Sequence, residues 1–438
     1  MIWLMQNFTR SLVRWLLTLL FTLVIPVVLL RLLYKSIKNP EYRRRWLERF
    51  GIFKSTHQKG GIWVHMVSLG EAIAAVPLIR KLQNQFPNLP ITVTTSTPTG
   101  SAKVINTFGT QVFHVYFPYD LAWSFDQFIH NIQPKILVLM ETELWPNCLW
   151  ACQHHQIPVV IMNGRLSPRS MIGYLRIHFM TRQMLGCVAK VAAQSEADGA
   201  RFIKLGLDPN HLEVTGNIKF DLSIKAGIKK DAEQMREIFG STRPVWIAAS
   251  THSGEEAIVL DAFVEIRNQF KDALLILVPR HPERFESVGL MAQARGFSVV
   301  KRSNHLPNLA TDIWLGDTMG ELLLFYAASD VAFVGGSFVP IGGHNTLEPA
   351  AVDVPVIVGP HVHNFVEITK FLSEAGALVQ VQNSTSLAKA VINWFAHPEA
   401  RKQAGMSGKK VVEKNRGAVD KMVAIIQNEI ATGSSPNK

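Results

Sequence analysis

Val331-Ala-Phe-Val-Gly-Gly-Ser-Phe-Val-Pro-Ile-Gly-Gly-His-Asn-Thr-Leu-Glu348 is the stretch from which the fold can be read. Its first four residues are apolar, short and bounded by glycine, which predicts a buried strand. Gly335 and Gly336 would let the backbone after that strand come close to a ligand. A helix starting near Asn345 would turn N–H groups toward a phosphate or carboxylate. Glu348, one turn on, could accept hydrogen bonds from a ribose. Strand, glycine turn and anion-facing helix together describe an α/β nucleotide site without a P-loop. The plainer alternative is a glycine turn in which Glu348 only complements a helix N-terminus.

The same rhythm extends in both directions. Gly61–Val67, Ile91–Thr95, Lys135–Met140, Pro158–Met162 and Val188–Ala193 read as strands, with a helix over Glu71–Gln85 after the first. After a charged stretch at 221–243 the pattern restarts with Val245–Ala249, Ala273–Val278, Phe297–Val300, Val331–Val334 and Val356–Val358. Strands alternating with helices predict parallel, doubly wound sheets. The expected organisation is an N-terminal anchor at 1–35 and a Rossmann-like domain at 36–220, opened by a helix over about 36–50. A linker at 221–243 leads to a second Rossmann-like domain at 244–425 and a tail at 426–438, disordered after Ser434. Two such halves would face a cleft, with ligands beyond the carboxyl ends of the strands. Neither half carries G-x-G-x-x-G, which argues against a dinucleotide dehydrogenase.

Trp15–Leu30 is an uncharged run of 16 residues, and the apolar stretch reaches Leu12–Tyr34 if Arg14 and Arg31 snorkel. An in-plane interfacial helix is the rival, but the run is apolar all round. The net charge of +11 is concentrated behind it, where Arg31, Lys35, Lys38, Arg43, Arg44, Arg45, Arg49 and Lys54 face only Glu41 and Glu48. A basic block beside an apolar segment suggests anionic lipid and places the body of the protein on the cytoplasmic side. No nucleic-acid partner is expected, because no zinc finger, RNP-like motif or aromatic-interleaved basic stripe occurs. Cys148, Cys152 and Cys187 form no disulfide framework.

Several loops carry candidate chemistry. Glu71, in Val67-Ser-Leu-Gly-Glu71, is placed to take a proton from an acceptor hydroxyl, or merely to complement a helix N-terminus. Glu141 and Glu143 follow another strand without a His or Asp to complete a metal set, so no metal site is expected. Lys219 could balance phosphate charge. In the second half Arg280 could grip phosphate oxygens bidentately, and Met319 and Gly320 could line a base or sugar pocket.

In order along the chain, Val67–Glu71, Thr95–Gly100, Met140–Pro146, Gln194–Asp198, Gly216–Phe220, Pro279–Pro282, Gly316–Leu322 and Gly342–Glu348 resemble the bacterial 3-deoxy-D-manno-octulosonic acid (Kdo) transferases of lipopolysaccharide synthesis. The resemblance runs from about Pro40 to Glu367. It implies an α/β GT-B glycosyltransferase with two Rossmann-like domains facing a cleft, plus an N-terminal membrane-anchor helix. The implied donor is CMP-Kdo and the implied acceptor is the tetraacylated lipid A precursor, lipid IVA. The implied place is the cytoplasmic side of the inner membrane, and no cofactor or metal is needed.

Carried across residue by residue, the resemblance makes Glu71 the general base and Glu141 and Lys219 supporters of the transition state. It sets CMP against Pro279, Arg280, Met319, Gly320, Glu321, Asn345, Thr346, Leu347 and Glu348. Thr346 stands where many relatives are expected to have proline. A sugar-nucleotide epimerase or hydrolase of the same fold is the rival enzyme, against which the anchor argues. A nucleotide-binding scaffold is the non-enzymatic rival, against which Glu71, Arg280 and Glu348 together argue.

Overall fold

The computed structural model describes residues 22–37, 40–54, 59–222, 224 and 226–433. Two units account for them. The first comprises the chain through Asp221 together with the segment from Arg416 onward, and the second spans Leu222–Asn415.

The first unit is built on a seven-stranded parallel sheet. Its strands are β1 (Ile62–Met66), β2 (Ile91–Thr95), β3 (Phe113–Tyr116), β4 (Ile136–Met140), β5 (Val159–Gly164), β6 (Lys190–Ala193) and β7 (Leu212–Val214). Their order is β3-β2-β1-β4-β5-β6-β7. Side chains alternate between two cores, as a parallel sheet covered on both faces requires. Ile62, Val64, Val93 and Val138 pack on one side with the helix Leu69–Gln85. Trp63, Leu137, Leu139 and Val191 pack on the other with Phe125 and Phe128. Strand order reverses between β1 and β4, and the carboxyl ends of a reversing pair are where such sheets take ligands.

The second unit repeats the plan with β8 (Val245–Thr251), β9 (Leu274–Pro279), β10 (Val299–Lys301), β11 (Ile313–Leu315), β12 (Val331–Val334), β13 (Val356–Val358) and β14 (Leu378–Gln380). The order is β10-β11-β9-β8-β12-β13-β14, again parallel, with the reversal between β8 and β12.

Three expectations need correction. The segment 221–243 is not a linker: Ile228–Phe239 is a helix of the second unit, with Phe239 buried edge-on against Trp314 and Arg236 paired to Asp330 at 3.3 Å. Residues 416–433 neither close the second domain nor form a tail. Ala418–Gly433 is a helix that buries Met422 and Ile426 in the first unit's core. Asp221 fastens the two passages of the chain, accepting from the N–H groups of Gly417 and Val419 at 2.6 Å each. Of the expected helix over 36–50, residues 36–37 end the preceding helix, and 40–50 instead form two short 3-10 turns, Pro40–Arg43 and Trp46–Phe50, separated by Arg45 at φ 60. Proline supplies no N–H to an i→i−4 ladder and clashes with one.

Of the expected anchor at 1–35, residues 22–35 are helical, in a helix that runs on to 37, and residues 1–21 lie outside the described residues. Among those described, no helix is long and apolar enough to cross a membrane. The expected disorder after Ser434 also lies outside them.

Candidate active site

In the first unit the site grows from the reversal point. β1 runs out at Met66, and Ser68 caps the helix that follows, its hydroxyl accepting from the Glu71 N–H. Glu71 reaches back to complete a capping box. Its carboxylate accepts from Val67 N at 2.7 Å, Ser68 N at 3.2 Å and Ser68 Oγ at 2.7 Å. The side chain is buried yet remains 9% exposed. The helix-capping role and the placement for base chemistry therefore coexist in one residue.

At the end of β4, Glu141 adopts φ 57, a conformation that costs a non-glycine residue about 1–3 kcal/mol. Its N–H is held by the Met162 carbonyl at 2.9 Å. At the end of β5, Asn163 is also left-handed, at φ 57. Its Oδ1 accepts from Ile218 N at 3.0 Å, while Gln194 bridges it to Asn217 through 2.9 and 2.8 Å bonds. Asn217 in turn caps the short turn that carries Lys219. A side-chain lattice thus seats Lys219 beside Glu141.

The electrostatics are those of crowded carboxylates. Burial pushes Glu143 up to about 7, and Glu71 pushes it the same way. Burial also raises Glu141, with Glu71 adding to the effect while Lys219 and Arg165 oppose it. Burial lowers Lys219, against the pull of Glu141. Tyr174 is raised by burial and by Glu143 nearby. The site therefore joins one well-held carboxylate, two carboxyls with raised proton affinity and two cations. Arg165 and Tyr174 were not among the expected residues. Both lie in a polar, Ser- and Arg-containing stretch that carries no motif of its own.

In the second unit the corresponding point behaves differently. Gly335 follows β12, and a Cβ there would meet the Ser250 carbonyl oxygen at 2.6 Å. The need for glycine comes from the neighbouring strand, not from a ligand. The loop N–H groups are also already taken. Glu255, fully buried, accepts from Gly336 N at 2.7 Å, Ser337 N at 3.0 Å, Phe338 N at 2.8 Å and His252 N at 2.9 Å. This corrects the expectation that the Gly335–Gly336 turn offers its backbone to a ligand. Glu255 was missed, although Glu255 opens the helix after β8 as Glu71 serves the helix after β1.

The expected nucleotide residues divide. Arg280 follows β9, anchored through its N–H to the Thr251 carbonyl at 2.9 Å, and its charge is felt at Glu348, His344 and His252. Pro279 closes β9 itself. Met319 is exposed, and Gly320 at φ 87 has open space where a Cβ would stand. Glu321 pairs with Arg302 at 2.9 Å and accepts from Thr318 Oγ1 at 2.5 Å. Glu348 accepts from Asn345 Nδ2 at 3.1 Å; burial raises it while Asn345 and Arg280 oppose the rise.

The helix expected to start near Asn345 is Leu347–Ala351, only five residues, and its first N–H is taken by Asn345 Oδ1 at 3.2 Å. The Leu347 side chain is fully buried in the core and Thr346 is nearly so. That end of the loop presents Asn345 and Glu348 rather than a row of free N–H groups. Among the described residues no group of three His, Cys, Asp or Glu side chains gathers as a metal-ligating set.

Residues 44–222, which contain the whole carboxylate cluster, match the family model of 3-deoxy-D-manno-octulosonic-acid transferases. A 3-deoxy-D-manno-octulosonic acid transferase of Haemophilus influenzae is 44% identical over 92% of this chain and 95% of its own length. The chain belongs to the Kdo transferase family. It is a glycosyltransferase of lipopolysaccharide biosynthesis. A Kdo transferase of Bordetella pertussis is 35% identical over 78% of this chain and 81% of that one. A solved glycosyltransferase from Rickettsia africae, 14% identical, covers 85% of this transferase and 99% of its own chain at a TM-score of 0.55, a likeness of fold. The two parallel sheets are thus those of a GT-B-like glycosyltransferase.

Proposed function

We propose that this Kdo transferase moves Kdo from CMP-Kdo to the tetraacylated disaccharide bisphosphate precursor of lipid A, with inversion at the anomeric carbon and Glu71 as general base. The observation that carries the reading is the Glu71 carboxylate itself. It lies at the reversal point of its sheet, held by three donors, near Glu141 and Glu143, with Lys219 and Arg165 beside Glu141.

In the proposed reaction the bond from the anomeric carbon to the CMP phosphate breaks, and its electron pair leaves on the phosphate oxygen. The acceptor hydroxyl attacks from the opposite face and gives its proton to Glu71. Glu141 and Lys219 steady the positive charge that develops on the sugar and the negative charge of its carboxylate. Arg280 takes the departing phosphate, while Asn345 and Glu348 hold the nucleoside. Met319, Gly320 and Glu321 flank it, and Pro279, Thr346 and Leu347 shape the backbone behind them. A guanidinium grip removes the need for a divalent ion, so the reaction is proposed to be metal-independent.

The basic block at 31–54 and the apolar run before it would hold the enzyme on the cytoplasmic side of the inner membrane, where a bisphosphorylated lipid is presented. The test is incubation of the full-length protein in detergent with CMP-Kdo and the tetraacylated acceptor, with and without EDTA, read by mass spectrometry of the lipid. Lipid product at equal rates in both arms is the expected result. CMP release without lipid product would overturn the acceptor. Loss of activity with EDTA, restored by one divalent ion, would overturn metal independence.

A further inference from the structure

The second sheet reverses between β8 and β12, and two imidazoles meet there. His252, just past the irregular end of β8 where Ser250 sits at φ 56, places its Nε2 2.7 Å from Nε2 of His344 in the loop after β12. The rings stack at 5.0 Å between centroids and 8° between planes. The contact is built from both sides. The Glu255 carboxylate holds the His252 N–H, and only a glycine at 336 leaves room for the His344 ring, since a Cβ there would stand 2.9 Å from its Cδ2. Neither histidine has a part in the reaction as described so far.

Two ring nitrogens at this distance hold one proton between them. Two protons would collide, and two lone pairs would repel. The pair can therefore accept one positive charge, shared through a charge-assisted bond, but not two. In the unliganded protein its surroundings oppose even that one. Burial pushes His344 down to about 4, with His252, Arg280 and His281 pushing the same way. Burial lowers His252 as well, with His281, Arg280 and Arg284 adding to it and Glu256 opposing. The remaining neighbouring loop, 359–365, brings His363 toward Gly342. What the pair lacks is a strong negative charge on the Arg280 side.

We propose that the His252–His344 pair is the proton-carrying part of the phosphate seat, binding one proton when a phosphomonoester dianion arrives beside Arg280 and releasing it when the nucleotide departs. The inference rests on the reading of Arg280 as a phosphate contact. Bond cleavage turns a phosphodiester monoanion into a phosphomonoester dianion, so the charge that recruits the proton appears on the leaving group as it forms. The acceptor's proton goes to Glu71; the pair's proton comes from solvent. No oxidant or reductant is involved.

The experiment is calorimetric titration of the full-length protein in detergent with CMP, in two buffers of different ionisation heat. The pH range is 7 to 9, where CMP, with a second phosphate pKa of about 6, is already a dianion. Wild type should take up protons on binding CMP, up to one per CMP at the low end of this range and fewer as pH rises. Its affinity should fall with rising pH, approaching tenfold per pH unit as the linkage of one proton requires. His344→Gln and His252→Gln should each bind CMP with uptake near zero and a flat pH dependence. Either variant suffices if the other fails to fold by circular dichroism. Wild-type binding without proton uptake, or uptake unchanged in a folded variant, overturns the proposal. A separate arm tests its foundation: unchanged CMP affinity in Arg280→Ala would remove the phosphate site itself.

Discussion

Glu71 and Glu255 occupy equivalent places in the two units. Each stands in the first turn of the helix that follows the central strand at a reversal point, and each carboxylate is held by backbone N–H groups. Their surroundings separate them. Glu255 is fully buried and spends both oxygens on four N–H groups, three of them from the loop after β12. Glu71 takes its donors from its own turn, retains some exposure and shares its neighbourhood with two other carboxyls. A carboxylate whose donors come from a distant loop ties the fold together. One whose donors are local is positioned by them and can still meet a substrate.

The largest expected effect is the sharpest use of that contrast. Glu71→Gln should lower Kdo transfer by about 10²–10⁴-fold, the usual worth of a general base, while CMP affinity changes little and stability falls less than in Glu255→Gln, because either orientation of the amide opposes only one backbone N–H, at about 1–3 kcal/mol. Its amide can keep one backbone donor and turn its NH₂ to Ser68 Oγ. Activity within about tenfold of wild type, roughly 1.4 kcal/mol of barrier, would break the comparison. Glu255→Gln should do the reverse. Either orientation of the amide sets an NH₂ against two buried N–H groups, at about 1–3 kcal/mol each. Denaturant unfolding should show a loss of several kcal/mol. A variant as stable as wild type would show that the four bonds do not hold the loop.

A smaller effect is expected from the nucleotide loops. Arg280→Ala and Glu348→Ala should each weaken CMP binding by about 1.5–3 kcal/mol, the worth of a charge-assisted hydrogen bond. The folded state should be spared, because Arg280 is fastened through its backbone N–H to Thr251 and not through its guanidinium. Titration calorimetry showing wild-type affinity in both would leave the second unit without its proposed ligand.

How much of this was legible in the sequence follows from where each determinant lies. Ile91–Thr95, Val331–Val334 and Val356–Val358 were read with the bounds they have, because buried parallel strands announce themselves as apolar runs. β3, β7, β11 and β14 were missed. Three of them lie at sheet edges, and β7, β11 and β14 are only three residues long. The apolar face of Ala418–Gly433 could not say which unit it would cover; that depends on Asp221 catching the returning chain. Glu71, Glu141 and Lys219 were named from motif and position, and the first unit does gather them. Glu255 was invisible because a partner, Gly336, lies 81 residues away. Gly335 after β12 misled for the same reason, since its close approach is to Ser250 in β8.

The smallest expected effect probes the crowding that distinguishes Glu71 from Glu255. Burial and the neighbouring Glu71 carry Glu143 up to about 7, from an ordinary value of 4.5. A carboxyl with a raised folded-state pKa binds its proton more tightly folded than unfolded, so it favours the folded state at low pH. That contribution is complete below about 4.5 and is lost as pH rises through about 7. Stability should therefore decline across this window in the wild type, and Glu143→Gln, which cannot ionise, should flatten the decline. Denaturant melts at half-unit steps of pH would read the difference in slope. Identical slopes in the two proteins would mean that Glu143 is not crowded, and the carboxylate cluster around Glu71 would lose the feature that sets it apart from Glu255.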